Sequence, residues 1–252
     1  MPARGGSVSA AMLPLLTGPV RAARVAGAGR LAAYLDAGSE MLALLAPDAV
    51  RVPNGLVLRA GELIARLQVG AKATVGAGAV RAGDVVLGWE SVWPPGQPVM
   101  ADPDLARRRA PGFQAAVSRE AGALPRYLEE PVAALATGDL RAAAERLLGL
   151  GPGLTPSGDD VLAGFLVTRR SLGVPAGDVT ALAARRTSAI SADLLRHAAA
   201  GRCIPQLADV VTALGSPGRA PQLGALLAVG HHSGGDLARG VALALTATKG
   251  NR

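Results

Sequence analysis

The sequence predicts an α+β protein in which a β-rich N-terminal sheet or barrel is followed by a C-terminal α-helical bundle. Two patterns support this class: short apolar runs between Gly, Pro, Asn and Asp up to about residue 100, and apolar residues at three- and four-residue spacing after it. The chain has 252 residues, which is enough to bury a sizeable core. We therefore predict a β-rich domain over 1–100 and a helical domain over 101–252.

The N-terminal half contains a series of predicted strands and one short predicted helix. Asn54-Gly55 and the run at 82–84 are turn signals that separate strands. Prolines exclude regular structure from the connecting segment at 89–103. The strands are expected at 19–26, 30–36, 41–45, 56–58, 74–80 and 84–87, and the helix at 62–69.

The C-terminal half is predicted to be helical because each periodic apolar segment is bounded by Gly or Pro. The expected helices cover 104–121, 124–136, 139–148, 157–172, 178–186, 191–200, 204–214, 222–229 and 235–248. A glycine-dense loop separates the third of these helices from the fourth. It is not a Rossmann fingerprint, because a helix precedes it, and it lacks the Gly-Lys-[Ser/Thr] of a P-loop.

The composition favours a small anionic substrate over a nucleic acid. The formal net charge is +7 and the sequence pI is about 10.8, which reflects either an acidic partner or a genome that prefers Arg codons. Only 2% of the residues are aromatic, and the basic residues form no continuous run beyond 107–109. Stacking platforms and basic stripes are what nucleic-acid binding requires, so we predict no nucleic-acid partner.

The single cysteine, Cys203, excludes an internal disulfide and a cysteine-based metal cluster, which agrees with a reducing cytoplasm. The apolar runs are interrupted by Arg, Asp and Gly, so neither a signal peptide nor a membrane span is predicted. Adjacent His231 and His232 diverge and lack partners for zinc. We expect a cytoplasmic protein without membrane contact.

The glycine-dense loop at 149–156 leads directly into a predicted helix. Ser157 occupies the expected N-cap position and Asp160 the acidic position of a capping box. Unpaired N–H groups and the helix dipole attract anions to such a helix start, phosphates above all. The sequence therefore predicts an anion site at this loop, in which Gly151, Gly153 and Thr155 take part.

The same pattern occurs twice. Ser157 begins a run S-G-x-D-x-x-x-G that ends at Gly164, and Ser233 begins a second run that ends at Gly240. A glycine four residues beyond the acid allows each helix to pack closely at its first turn. We predict that the two helix starts lie near each other and share a ligand. Two capped core helices without a ligand are the alternative interpretation.

The residues 149–164, which read Gly-Leu-Gly-x-Gly-Leu-Thr-Pro-Ser-Gly-Asp-Asp and then Leu-x-Gly, resemble the signature of a bacterial family. The family was long described as a domain of unknown function and is linked to the AllH subunit of oxamate carbamoyltransferase. Segments 187–201 and 230–240 are similar to its later motifs, although His232 stands where the family has Thr. The resemblance implies carbamoyl transfer between phosphate and oxamate in purine or allantoin catabolism, with partner subunits or a homo-oligomer.

Under this resemblance, N–H groups of 151–158 and the hydroxyls of Thr155, Ser157 and Ser233 are expected to bind a small anion. Arg186 would balance its charge, and no catalytic residue is assigned. Two other functions stay open: a non-catalytic docking subunit, and a phosphate- or nucleotide-binding enzyme with Mg²⁺ on Asp159. The predicted site comprises Gly151, Gly153, Thr155, Ser157, Gly158, Asp159, Asp160, Arg186, Thr187, Ser191, His232, Ser233, Gly234 and Asp236.

Overall fold

The computed structural model describes residues 3–83, 85–175, 177 and 179–247. The chain divides into two compact units, Met1–Pro95 and Gly96–Arg252. The first is a β-barrel and the second is helical, so the α+β class is confirmed. The assignment of two domains, over 1–100 and 101–252, stays a prediction.

Eight strands form a closed barrel in the order β1-β5-β4-β3-β2-β6-β7-β8. Neighbours are antiparallel except for β1 with β8 and β4 with β5, which are parallel. The strands are β1 (Ala3–Ser9), β2 (Arg21–Ala28), β3 (Ala32–Asp36), β4 (Met41–Leu45), β5 (Gly55–Val57), β6 (Lys72–Gly76), β7 (Ala79–Ala82) and β8 (Val85–Trp93). A 3-10 turn (Ala10–Met12) and two short helices, α1 (Leu13–Thr17) and α2 (Glu62–Ala65), complete the unit.

Alternating burial along a strand shows which of its side chains fill the core. Along β3, Ala33 and Leu35 are fully buried, while Ala32, Tyr34 and Asp36 are half-buried. The interior is filled mainly by Leu, Val and Ala, which suits a chain almost devoid of aromatic residues. The core of this unit is therefore the barrel interior.

Four local predictions for this unit were wrong. The predicted strand at 74–80 is a hairpin, because Ala77 and Gly78 have φ angles of 48° and 78° and form its turn. The predicted irregular segment from residue 89 is strand β8 as far as Trp93, because it pairs with β1. β1 was not expected, and the helix predicted at 62–69 ends at Ala65. The start predicted at Asp84 lies outside the described residues.

Nine helices form the second unit within its described residues. Asp102 and Asp139 cap two of them by accepting hydrogen bonds from the N–H groups of Leu105 and Ala142. The helices are α3 (Pro103–Glu120), α4 (Arg126–Ala136), α5 (Leu140–Leu147), α6 (Ser157–Ser171), α7 (Val179–Arg186), α8 (Ala189–Ala199), α9 (Pro205–Leu214), α10 (Leu223–Leu227) and α11 (Ser233–Thr246). All nine were expected, but the predicted ends at Asp178 and Thr248 lie outside the described residues.

Helices α6 and α11 pack together without intervening side chains at their crossing. A Cβ atom added to Gly164 would lie 2.1 Å from the carbonyl oxygen of Leu237, and one added to Gly240 would lie 2.1 Å from that of Val161. Only glycine allows two backbones to approach this closely. The glycine predicted to matter in each repeated motif therefore sets the contact between the two helices.

No helix among the described residues has both the length and the apolar character that crossing a bilayer requires.

Candidate functional site

The two Ser-Gly turns meet at the first turns of α6 and α11. The Ser157 side chain hydrogen-bonds the Asp236 carboxylate, and the Ser233 side chain hydrogen-bonds the Asp160 carboxylate. Each serine thus contacts the acid of the other motif. The prediction that the two helix starts lie close together is confirmed, whereas their sharing of a ligand stays a prediction.

The segments that lead into the two turns also use the same contacts. The N–H of Gly158 donates to the Leu150 carbonyl at 2.9 Å, and the N–H of Gly234 donates to the Val229 carbonyl at 3.0 Å. An added Cβ would lie 2.1 Å from the Leu147 carbonyl oxygen at Gly158. The corresponding distance at Gly234 is 2.0 Å, to the carbonyl oxygen of Leu226. These two glycines therefore serve packing, and their N–H groups are already bonded within the chain.

The capping-box interpretation was wrong by one residue. The carbonyl of Pro156 accepts the Asp160 N–H at 3.1 Å, and the carbonyl of His232 accepts the Asp236 N–H at 3.0 Å. Pro156 and His232 are therefore the N-caps, and neither helix has a side-chain cap bond. The serines fall on the first helical residue instead, where their hydroxyls reach the opposite helix.

Asp159 anchors the glycine loop. It is 1% exposed, and its Oδ1 accepts the N–H of Gly149 at 2.9 Å. Its Oδ2 accepts the Ser191 hydroxyl at 2.7 Å and also the Thr187 hydroxyl. Thr187 and Ser191 thus lie beside the loop, as predicted. Their hydroxyls bind the Asp159 carboxylate, however, and this carboxylate in turn binds the loop. Since three donors from the chain engage this carboxylate, the geometry favours a positioning role over ligation of Mg²⁺.

The glycine loop has a backbone that requires glycine. Gly149, Gly151 and Gly153 have φ angles of 76°, 119° and 93°. A Cβ on Gly149 would lie 2.5 Å from the Arg186 carbonyl oxygen, so the loop packs directly on the connection between α7 and α8. The Ser188 hydroxyl also donates to the Leu154 carbonyl at 2.8 Å. Together these contacts hold the loop in one shape, with Thr155 half-buried at its end.

The predicted basic residue and the histidine lie at the edge of this cluster. Arg186 is exposed, and its guanidinium donates to the carbonyl of Glu145 at 3.3 Å. His232 is exposed, and its ring meets that of His231 edge-on with 4.3 Å between centroids. The charge-balancing role of Arg186 and the ligand contact of His232 stay predictions.

Arg239 is a further functional candidate, which the sequence motifs did not indicate. Its guanidinium donates to the Asp236 carboxylate at 2.8 Å and to the carbonyls of Ala121 and Gly122 at 3.1 and 2.9 Å. A basic residue three positions after an acid on one helix face is a signal that would have indicated this pair. Arg239 therefore compensates the charge of one of the two motif acids.

The two motif acids differ in their electrostatic environment. Burial raises the pKa of Asp236, while its hydrogen bond with Ser157 and the charges of Arg239 and His232 oppose the rise. Burial also raises the pKa of Asp160, to about 7, with further increases from Asp236 and Asp159, and only the Ser233 hydrogen bond lowers it. Asp160 is thus an acid whose proton exchanges near neutral pH, a role that its expected capping function did not suggest.

The serine hydroxyls at the turns face carboxylates, and neither serine lines the two cavities described next for the described residues of the helical unit. Two cavities of the helical unit, with volumes of about 620 and 240 Å³, are lined by other residues. The larger lies between α3 and the segment leading into α10, and the smaller lies between α5 and α7. Within the described residues, no group of three or more His, Cys, Asp or Glu side chains is arranged to hold a metal ion.

A comparison with protein families confirms the resemblance noted for the sequence. The family described as oxamate carbamoyltransferase subunit AllH matches residues 147–245. The match begins at the last residue of α5 and ends within α11, so it spans the glycine loop, the α7–α8 connection and both turns. No solved structure matches the chain.

Proposed function

We propose that this chain is the AllH-type subunit of an oxamate carbamoyltransferase complex and that its paired turns bind the substrate. The observation that carries the proposal is the extent of the family match. Residues 147–245 include every group of the cluster around Asp159, Asp160 and Asp236. The reaction would transfer a carbamoyl group between phosphate and the amide nitrogen of oxamate.

The chemistry of this transfer matches the kinds of group that surround the loop. Both substrates are anions, so the reaction depends on donors and on compensation of negative charge and not on a covalent nucleophile. N–H groups of the loop and the hydroxyls of Thr155, Ser157 and Ser233 would supply the donors, and Arg186 would balance the charge. Asp160 in its neutral form would remove one negative charge that otherwise repels an anion.

The pathway and the assembly belong to the same proposal. A family of oxamate carbamoyltransferase subunits implies partner subunits, and the reaction would belong to the nitrogen catabolism of purines and allantoin in the cytoplasm. The small anionic substrate is then carbamoyl phosphate or phosphate together with oxamate. We assign no cofactor, and Mg²⁺ would enter as a counter-ion of phosphate.

Thermal unfolding of the purified chain tests the site. Carbamoyl phosphate or phosphate should raise the Tm of the wild-type chain, and Ser157→Ala and Ser233→Ala should abolish that rise because each removes a hydroxyl from the cluster. Ser216→Ala is the matched control, because its hydroxyl donates to the Thr212 carbonyl on α9. A rise that survives both turn substitutions would contradict the site. A rise with Mg-ATP alone would favour a nucleotide-binding enzyme.

A docking subunit is the second candidate, and one observation favours it. Ser157 and Ser233 already bond the opposite carboxylates, as expected if the turns only join two helices. In that case no small anion would raise the Tm, and the chain would still co-purify with partner subunits from its native host. Activity of that complex would then persist with Ser157→Ala, provided the complex still assembles.

A further inference from the structure

The larger cavity of the helical unit is a groove that follows α3. Residues four positions apart line it and form one row on the helix face, here called the α3 row: Arg108, Gly112, Ala116 and Glu120. At 1.5 Å per residue, the α3 row is about 18 Å long, or about three helical turns. The opposite wall consists of residues 221–225, and the groove has a volume of about 620 Å³. The groove therefore has room for the side chains of a second helix.

The two ends of the α3 row carry opposite charges. The side chains of Arg108 and Glu120 are 66% and 41% exposed. Asp102 lies 3.8 Å from Arg108. Arg119 donates to Glu120 at 2.9 Å. Exposed ion pairs of this kind contribute little to stability, so both charges are able to exchange these neighbours for a partner on another chain.

The middle of the α3 row has a glycine that packing within the described chain does not require. A Cβ atom added to Gly112 meets no described atom within 4 Å, although glycine inside an exposed helix lowers helix stability. Ala116, one turn further along, has only a methyl group. Small residues at the centre of the row let the backbone of another helix approach closely.

The floor of the groove is apolar and its available polar groups lie at the rim. Phe113, Leu214 and Leu223 form the floor and are 6%, 0% and 8% exposed. Arg109 also lines the groove, but its guanidinium already donates to the Ala213 carbonyl at 2.8 Å, near the end of α9. An apolar centre with a polar rim is typical of a protein–protein interface, whereas a small-molecule site has polar groups inside it.

We propose that this groove is the interface of a homodimer in which α3 of one chain lies antiparallel to α3 of a second copy. Arg108 of each chain then faces Glu120 of the other, and Gly112 of each faces Ala116 of the other. The same contacts occur twice, as a two-fold interface requires. In this direction the charges of the α3 row complement those of its own copy, whereas in a parallel arrangement like charges would meet. The inference does not depend on the proposed function.

Analytical ultracentrifugation of the purified full chain tests the dimer. We expect the wild-type chain to dimerise, and Arg108→Glu and Glu120→Arg each to raise the dissociation constant by roughly 10-fold or more, because each turns two attractive pairs into repulsive ones. Combining both substitutions in one chain should restore the wild-type constant. Arg146→Glu is the matched control, because Arg146 is exposed on α5 and pairs with Glu130 at 2.7 Å. It should leave the constant unchanged.

A mixture of the two single variants tests the direction of the contact. One variant has an acid at both ends of the α3 row and the other has a base at both ends, so each repels its own copy. A mixed pair has two attractive contacts, and we expect it to form with a dissociation constant close to that of the wild-type dimer. A wild-type chain that stays monomeric overturns the inference, even if a partner subunit or a small molecule then binds the groove. A dimer that the single variants do not weaken, or a mixture that does not pair, also overturns it.

Discussion

The α5–α6 and α10–α11 hairpins share their packing but differ in how their polar groups are satisfied. Both place a glycine against the preceding helix, a serine on the acid of the other hairpin, and a second glycine at the helix crossing. The first hairpin alone has Asp159, where the second has Gly235. The second alone has Arg239, where the first has Ala163.

This comparison shows that two hairpins with the same motif and the same packing can have different functions. Asp159 ties the long glycine loop to Thr187 and Ser191, so the first hairpin is the one with a shaped loop. Arg239 donates a hydrogen bond to Asp236 and opposes the rise that burial causes in the pKa of this acid, so the acid of the second hairpin has a counter-charge. The acid left without compensation is Asp160, and it lies on the hairpin that also carries the loop.

The largest effect is expected from removing the loop anchor. Asp159→Ala leaves the N–H of Gly149 and the hydroxyls of Thr187 and Ser191 without their acceptor. We expect the free energy of unfolding to fall by about 4 kcal/mol, because unsatisfied buried donors cost about 1–3 kcal/mol each and water recovers part of this. Urea unfolding measures it.

Asp104→Ala is the matched control for the loop anchor. Asp104 pairs with Arg107 on the surface of α3, so its loss should cost about 1 kcal/mol or less. If Asp159→Ala lowers the free energy of unfolding no more than this control does, Asp159 does not anchor the loop, and the first hairpin is not distinguished from the second by this residue.

A smaller, equal effect is expected at the crossing of the two helices. Gly164→Ala and Gly240→Ala each place a Cβ 2.1 Å from a backbone oxygen, which no side-chain movement relieves. We expect each to lower the free energy of unfolding by about 3 kcal/mol. Gly112→Ala in α3 is the control, because a Cβ there meets no atom within 4 Å. Costs that differ strongly between Gly164 and Gly240 would disprove the shared packing.

The smallest effect is a pH dependence of stability. It tests whether Asp160, which lacks the counter-charge that Arg239 gives Asp236, has a raised pKa. The pKa of Asp160 in the folded chain is about 7, against 3.8 for an unperturbed aspartate, so the folded chain holds this proton more tightly. Its contribution to stability is full below the unfolded pKa and is lost as pH rises through about 7.

Asp160→Asn keeps a neutral side chain at every pH. Relative to wild type, the variant should therefore gain about 2 kcal/mol of unfolding free energy between about pH 5.5 and about pH 8, and more if the range begins at lower pH. Urea unfolding of both proteins across this range tests it. Parallel stability curves for the two proteins would mean that Asp160 is no more perturbed than an exposed acid.

Local patterns predicted the helices well but left the β unit open between a sheet and a barrel. Closure depends on the pairing of β1 with β8, in which Ser7 lies opposite Ser91. These strands are remote in sequence, and β1 contains two adjacent glycines that weaken any strand pattern. The barrel therefore depends on pairing between strands that are distant in sequence, and local propensities give no information about such pairing.

At the candidate site, the repeated motif predicted the meeting of the two helices but not the roles of its side chains. Gly164 and Gly240 indicated close packing because a residue without a side chain lets another backbone approach directly. The serines were assigned as caps because a shift of one residue at a helix start is not visible in sequence, yet it turns the hydroxyl toward another helix. The perturbation of Asp160 depends on burial, which follows only from the packed structure.

Closure of the barrel has a consequence for recognition by other chains. Because β1 and β8 pair with each other, the eight described strands form a ring in which each has two neighbours. This ring of described strands has no edge strand with unpaired backbone groups, so another polypeptide cannot bind by adding a strand to it. Any companion that binds this unit has to distinguish it by outward-facing side chains, and single surface substitutions should suffice to map that contact.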